Sequence, residues 1–207
     1  MNPQRQRFFV MWVGGSASLC GLLIAGSTVC AHRSITPLPD YGVLPAFSLL
    51  DHERRPVTRE ALLGSVWIAD FIFTRCAGQC PLMSTTMAKL AHAHTGDRRL
   101  RLVSLSVDPA YDTPERLAAY AERYGAHEEQ WRFVTGEAQA MEGLAREGFH
   151  LGVGSDGGSA REPITHSVRL ILVDQQAHVR GYYDATDAQA ITRLSNDVRA
   201  LLRKDRS

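Results

Sequence analysis

The amino-acid sequence predicts an α/β fold, a central mixed sheet flanked by helices, with an N-terminal membrane anchor ahead of it. Three features of the chain lead to this. Residues 66–73 (VWIADFIF) and 100–107 (LRLVSLSV) are apolar-rich runs of strand length, as in strands covered on both faces. Segments with helical spacing follow each run, so strand and helix alternate. Residues 8–31 are uncharged and mostly apolar, enough for the ~20 residues that a helix needs to cross a bilayer.

Arg5 and Arg7 precede the apolar stretch, which favours holding residues 1–7 in the cytoplasm and exporting everything after residue 31. The expected location is the cytoplasmic membrane, single-pass, with the C-terminal domain on the periplasmic (extracytoplasmic) side. A cleaved secretory signal shares the basic start and apolar core; the length of the stretch favours a retained anchor. Residues 32–45 carry Pro37, Pro39 and Pro45 with little periodicity and read as a linker. The folded domain is expected over residues 46–207.

Within it, residues 47–50 suit a short first strand, and residues 51–56 a charged turn. The buried strand at 66–73 leads into a helix over 81–94, with Leu82, Met83, Met87 and Leu90 available for one face. After the strand at 100–107, Asp112 or Thr113 can cap a helix that has Pro114 in its first turn and stops at Gly125. Residues 131–134 read as a strand and 137–147 as a helix. A glycine-rich loop at 152–158 precedes strands at 167–173 and 179–183, with a turn at 174–177 between them. A last helix over 187–203 has Ile191, Leu194, Val198 and Leu201 as its apolar stripe. Alternating strands and helices, then a late hairpin and a closing helix, describe a thioredoxin-like sandwich.

The apolar fraction of 44% and charged fraction of 22% are those of a globular protein. A net charge of +1, with scattered basic residues, argues against nucleic acid as a partner. Of the four cysteines, Cys20 and Cys30 fall in the apolar N-terminus and read as fillers, while Cys76 and Cys80 sit in the domain.

Cys76-Ala77-Gly78-Gln79-Cys80-Pro81 follows a buried strand and opens a helix. Residues four apart at a helix start can face the same way. A helix N-terminus also favours the thiolate, the form that binds metal and attacks disulfides. His166, opening a strand after the glycine-rich loop, is a candidate third ligand. Two sulfurs and one imidazole suit Cu(I) in a trigonal site, whereas zinc takes a fourth ligand. A redox disulfide and chance spacing remain open for the cysteines, as does a structural role for the histidine. His92 and His94 fall on different helix faces and read as surface residues, and Met83 as core. For Asp108 and Asp112, turn and capping roles suffice.

Three segments, FIFTRCAGQCPLM at 71–83, SVDPAYDTPERL at 106–117 and THSVRLILVD at 165–174, resemble the Sco (SenC) family in order and separation. The resemblance implies a thioredoxin-like fold in which Cys76, Cys80 and His166 bind copper, as Cu(I) and in some states Cu(II). It implies a role in assembling the binuclear copper centre of cytochrome c oxidase, by delivering copper or by reducing the centre's cysteines. The implied partners are the copper-site subunit of the oxidase and other copper carriers or thiol reductants, together with the membrane. Cys76 and Cys80 would be the redox-active pair of an oxidoreductase acting without copper. The chain departs from the family at Ala77, where proline is frequent, and at Thr165, where aspartate commonly precedes the histidine. A peroxidase on a similar fold lacks support, because the Pro-x-x-x-Thr/Ser-x-x-Cys loop is absent.

Overall fold

A computed structural model describes residues 37–127, 129–151 and 168–204. The anchor expected at 8–31, Cys20, Cys30, His166 and Thr165 lie outside the described residues. Among the described residues, no helix is long and apolar enough to cross a membrane.

Seven strands form one mixed sheet in the order β2-β1-β5-β4-β3-β6-β7. They are β1 (Ser48–Asp51), β2 (Pro56–Thr58), β3 (Val66–Ile72), β4 (Leu100–Ser106), β5 (Trp131–Thr135), β6 (Arg169–Val173) and β7 (Val179–Asp184). β3, β4 and β5 run parallel, whereas β1 pairs antiparallel with β5 and β6 antiparallel with β3. The helices are α1 (Arg59–Leu62), α2 (Gln79–Ala93), α3 (Pro114–Arg123), α4 (Ala138–Gly143) and α5 (Ala188–Lys204). The expected thioredoxin-like sandwich of helices on a mixed sheet is what forms.

Every residue of β3 is buried, so its alternate side chains feed two cores. Val66, Ile68 and Ile72 pack with Met83, Met87 and Leu90 of α2, Leu117 and Tyr120 of α3, and Leu194 and Val198 of α5. Trp67, Ala69 and Phe71 face the other way, onto Leu44, Met141, Leu144 and Phe149.

Some elements differ from expectation. β2 and α1 span three and four residues, too few for any periodicity, and α1 is started by Thr58 accepting from the Ala61 N–H at 3.1 Å. The helix expected over 137–147 is α-helical only in α4 and widens to a π-helical turn at Leu144–Gly148. That turn is followed by Phe149, fully buried against Trp67 and Phe71 at 5.9 and 5.3 Å between ring centroids. A Cβ at Gly148 would lie 3.1 Å from both Leu44 and Pro45, so glycine permits this close approach.

Residues 37–45, expected as part of a linker, are laid along the β6–β7 hairpin. The Tyr41 and Leu44 amides donate to the carbonyls of Val179 and Ala177 at 3.0 and 2.9 Å. Leu44 is buried, and Asp40 meets His178 at 3.0 Å. Burial of one leucine and pairing of exposed backbone hold this stretch, which a proline-rich composition does not reveal.

Candidate metal centre

β3 and β4 end side by side: Ile72 is in register with Ser106, and the Val107 amide donates to the Ile72 carbonyl at 2.9 Å. The loops leaving these strands therefore meet at the carboxyl edge of the sheet, where open α/β folds place their sites. Beyond β3 the chain turns at once. The Cys76 N–H donates to the Phe73 carbonyl at 3.1 Å, closing a turn with Thr74 and Arg75 at its centre. α2 then starts at Gln79 with Gly78 at its N-cap.

Cys80 is thus in the first turn of α2, and Cys76 three residues ahead of it. The two converge because the loop folds back, not because four-residue spacing puts them on one helix face. Both are free thiols, Cys76 half-buried and Cys80 only 4% exposed.

Their electrostatics are opposed. Burial works against ionisation of Cys76, but the backbone N–H of Cys80, the Cys80 thiol and the N–H groups of Gly78 and Gln79 outweigh it and lower its pKa. Burial pushes the Cys80 thiol up to about 12, with the Phe73 backbone pulling down and Cys76 and Asp70 pushing further up. One accessible, acidic sulfur stands beside one sheltered, weakly acidic sulfur.

Asp70 is a feature that reading the residues did not single out. It lies wholly inside β3, on the face that carries Ile68 and Ile72, and neither carboxylate oxygen meets a donor in hydrogen-bonding geometry. Burial pushes its carboxyl up to about 7, against a smaller downward pull from Ser104 beside it on β4. Its sequence signal is the one charge within VWIADFIF.

The turn before Cys76 is held from the β4–α3 loop. Asp112, fully buried, accepts from the Thr74 N–H at 3.1 Å, the Thr74 hydroxyl at 2.5 Å and the Ser106 hydroxyl at 2.6 Å. Capping of α3 falls instead to Thr113, which accepts from the Arg116 N–H at 3.5 Å. Arg75 pairs with Asp108 at 2.7 Å and lies over the Tyr111 ring, which Arg116 covers from 3.8 Å. The Thr74–Asp112 and Arg75–Asp108 bonds join residues more than thirty positions apart, which explains why sequence patterning missed them.

Met83 is buried in the core as expected. His92 and His94 lie at the far end of α2 from the cysteines, His94 at its C-cap. Among the described residues, no group of three or more His, Cys, Asp or Glu side chains is arranged to hold a metal.

The SCO1/SenC family model matches residues 37–203, most of the chain. The chain belongs to the SCO1/SenC family. A SCO1 protein homolog of Bacillus subtilis is 30% identical over 182 residues, covering 87% of this chain and 93% of that one. The structure of BsSco, described as a member of the Sco family of cytochrome c oxidase assembly proteins with a disulfide switch, superposes with a TM-score of 0.68. It is 27% identical and covers 80% of this chain and 98% of its own. ScoI of Bradyrhizobium japonicum with copper bound shares the fold, with a TM-score of 0.59, 19% identity and coverage of 75% and 99%. In this chain the two cysteines follow β3, an interior strand of the sheet.

Proposed function

We propose that this Sco-family chain is a membrane-anchored, extracytoplasmic copper-binding protein that serves assembly of the binuclear copper centre of cytochrome c oxidase. Copper is its cargo, held by Cys76, Cys80 and His166. The observation that carries the reading is the convergence of two free thiols, one of them ringed by three backbone N–H groups at the start of α2. Those amides stabilise negative sulfur without competing as ligands, and two soft sulfurs with an imidazole match Cu(I). Copper supplies soft Lewis-acid and one-electron chemistry when bound; the chain supplies thiolates and an approach from solvent at Cys76.

For His166 the support is reach. β6 is antiparallel to β3 and begins beside its carboxyl end, since Ala69 is in register with Ile171. In the sequence His166 stands three residues before Arg169, at most about 11 Å of chain, which supports its assignment as the third ligand. BsSco, named as a member of a family of cytochrome c oxidase assembly proteins, supports the client, and ScoI, named as copper-bound, supports the cargo.

The opposed acidities of the thiols favour a second reading, thiol–disulfide exchange. Cys76 thiolate attacks a client disulfide, expelling one client thiolate and forming a mixed disulfide. Cys80, once deprotonated, attacks Cys76 Sγ; the second client thiolate leaves and Cys76–Cys80 closes. The client gains two electrons, the chain loses them, and solvent supplies the protons.

Deletion of the gene, with oxidase activity measured with and without added copper, separates the two. Delivery predicts that copper restores activity. Failure of copper to restore it, with oxidised cysteines in the client, would establish exchange instead.

A further inference from the structure

Neither reading of the site uses Asp112. Its carboxylate is fully buried at the foot of the β4–α3 loop and accepts three bonds, from the Thr74 N–H, the Thr74 hydroxyl and the Ser106 hydroxyl. Burying a carboxylate is costly unless such bonds are all made. Helix capping does not account for it, because Thr113 takes that role. Two of the three donors belong to Thr74, a central residue of the turn that the Cys76 N–H closes onto Phe73. The third comes from Ser106, the last residue of β4, in register with the last residue of β3. The carboxylate thus ties the turn that delivers Cys76 to the rigid end of the neighbouring strand.

We propose that Asp112 is a positioning residue for Cys76. Through Thr74 it holds the Cys76 sulfur in place relative to Cys80 and the first amides of α2. It thereby sets how stable the Cys76–Cys80 disulfide is and how tightly the pair holds a soft metal ion. A disulfide closes only within a narrow window of backbone separation, and two sulfurs sharing one ion are similarly constrained. A turn released from Asp112 samples geometries outside that window. The inference rests on Cys76 and Cys80 being the reactive pair, which both readings of the function share.

The test uses the full-length chain in detergent, equilibrated with mixtures of reduced and oxidised dithiothreitol. The Cys76–Cys80 disulfide takes two electrons and two protons from the dithiol, which closes to its own cyclic disulfide. Thr74→Val removes the hydroxyl at nearly constant shape, Thr74→Ser keeps it, and Asp112→Asn removes the carboxylate. Thr74→Val and Asp112→Asn are expected to weaken the disulfide by at least ~10-fold, a rise of ~30 mV in potential for this two-electron couple. Cu(I) affinity, read by competition with a chromophoric chelator, falls at least ~10-fold in both, while Thr74→Ser stays within ~3-fold of wild type on both readouts.

Asp51→Asn is the control. Asp51 is another fully buried carboxylate, accepting from the Glu53 and Arg55 amides in the β1–β2 turn. It should lose stability and leave both readouts at their wild-type values. Wild-type disulfide stability and Cu(I) affinity in Thr74→Val would overturn the proposal, as would an equal shift in Asp51→Asn. If Asp112→Asn does not fold, the two Thr74 variants decide alone. A wild-type chain that neither forms the disulfide nor binds Cu(I) would sink the site itself, which is a different result.

Discussion

Asp70→Asn removes a carboxylate that is fully buried and has no donor in hydrogen-bonding geometry. Burial raises its pKa from 3.8 to about 7. Between those values the unfolded chain has lost the proton while the folded chain keeps it. The folded state therefore binds more protons, and stability falls as pH rises. The contribution is fully present below pH ~4, declines through pH ~7 and is flat above. The shift of about 3 units, at ~1.4 kcal/mol each, amounts to about 4 kcal/mol lost across that window. The assay is urea unfolding of the reduced protein at pH 4 and pH 8, wild type against Asp70→Asn, so that other carboxylates cancel in the difference. The stability of wild type relative to the variant should drop by about 4 kcal/mol from the lower to the higher pH. A difference independent of pH would refute the reasoning, because Asp70 would then be ionised and paired in the folded state.

At pH 8, Cys80 with a pKa of about 12 holds only about one part in 10⁴ as thiolate. Iodoacetamide should therefore modify Cys76 first, and peptide mapping that found Cys80 alkylated at a comparable rate would contradict the assignment. Alkylation of Cys76 should also proceed at lower pH than that of a free cysteine, in keeping with its lowered pKa; a pH–rate profile midway at or above the ordinary thiol value contradicts this. Phe149→Ala, which empties the space against Trp67 and Phe71, should cost ~3–5 kcal/mol in denaturant unfolding. A loss below ~1 kcal/mol would mean that the ring is not the wedge between the π-helical turn and the sheet.

The long elements were legible because their burial is periodic or continuous. Residues 66–73 and 100–107 became the central strands β3 and β4, and the apolar stripe of α5 packs on one core as its spacing required. β2 and α1 escaped notice because three or four residues carry no period. The π-helical turn depends on the fit of Phe149 and Gly148 against chain more than seventy positions away, which no local pattern encodes. At the site, strand–loop–helix context was enough to pair Cys76 with Cys80. The mechanism of that pairing was not legible, since the fold-back at Thr74 and Arg75 is set by Asp112 and Asp108 across the loop. Asp70 was readable as one acid in an apolar run, but the lack of a donor in hydrogen-bonding geometry depends on which neighbours surround it.

The central claim is that Cys76, Cys80 and His166 together hold copper. X-ray absorption of the Cu(I)-loaded full-length chain, compared with its His166→Ala variant, tests it most directly. Two sulfur scatterers and one imidazole nitrogen are expected in the wild type. The nitrogen should be lost in the variant, with Cu(I) affinity falling by at least ~10-fold. Coordination and affinity that are unchanged by His166→Ala would contradict the three-ligand site.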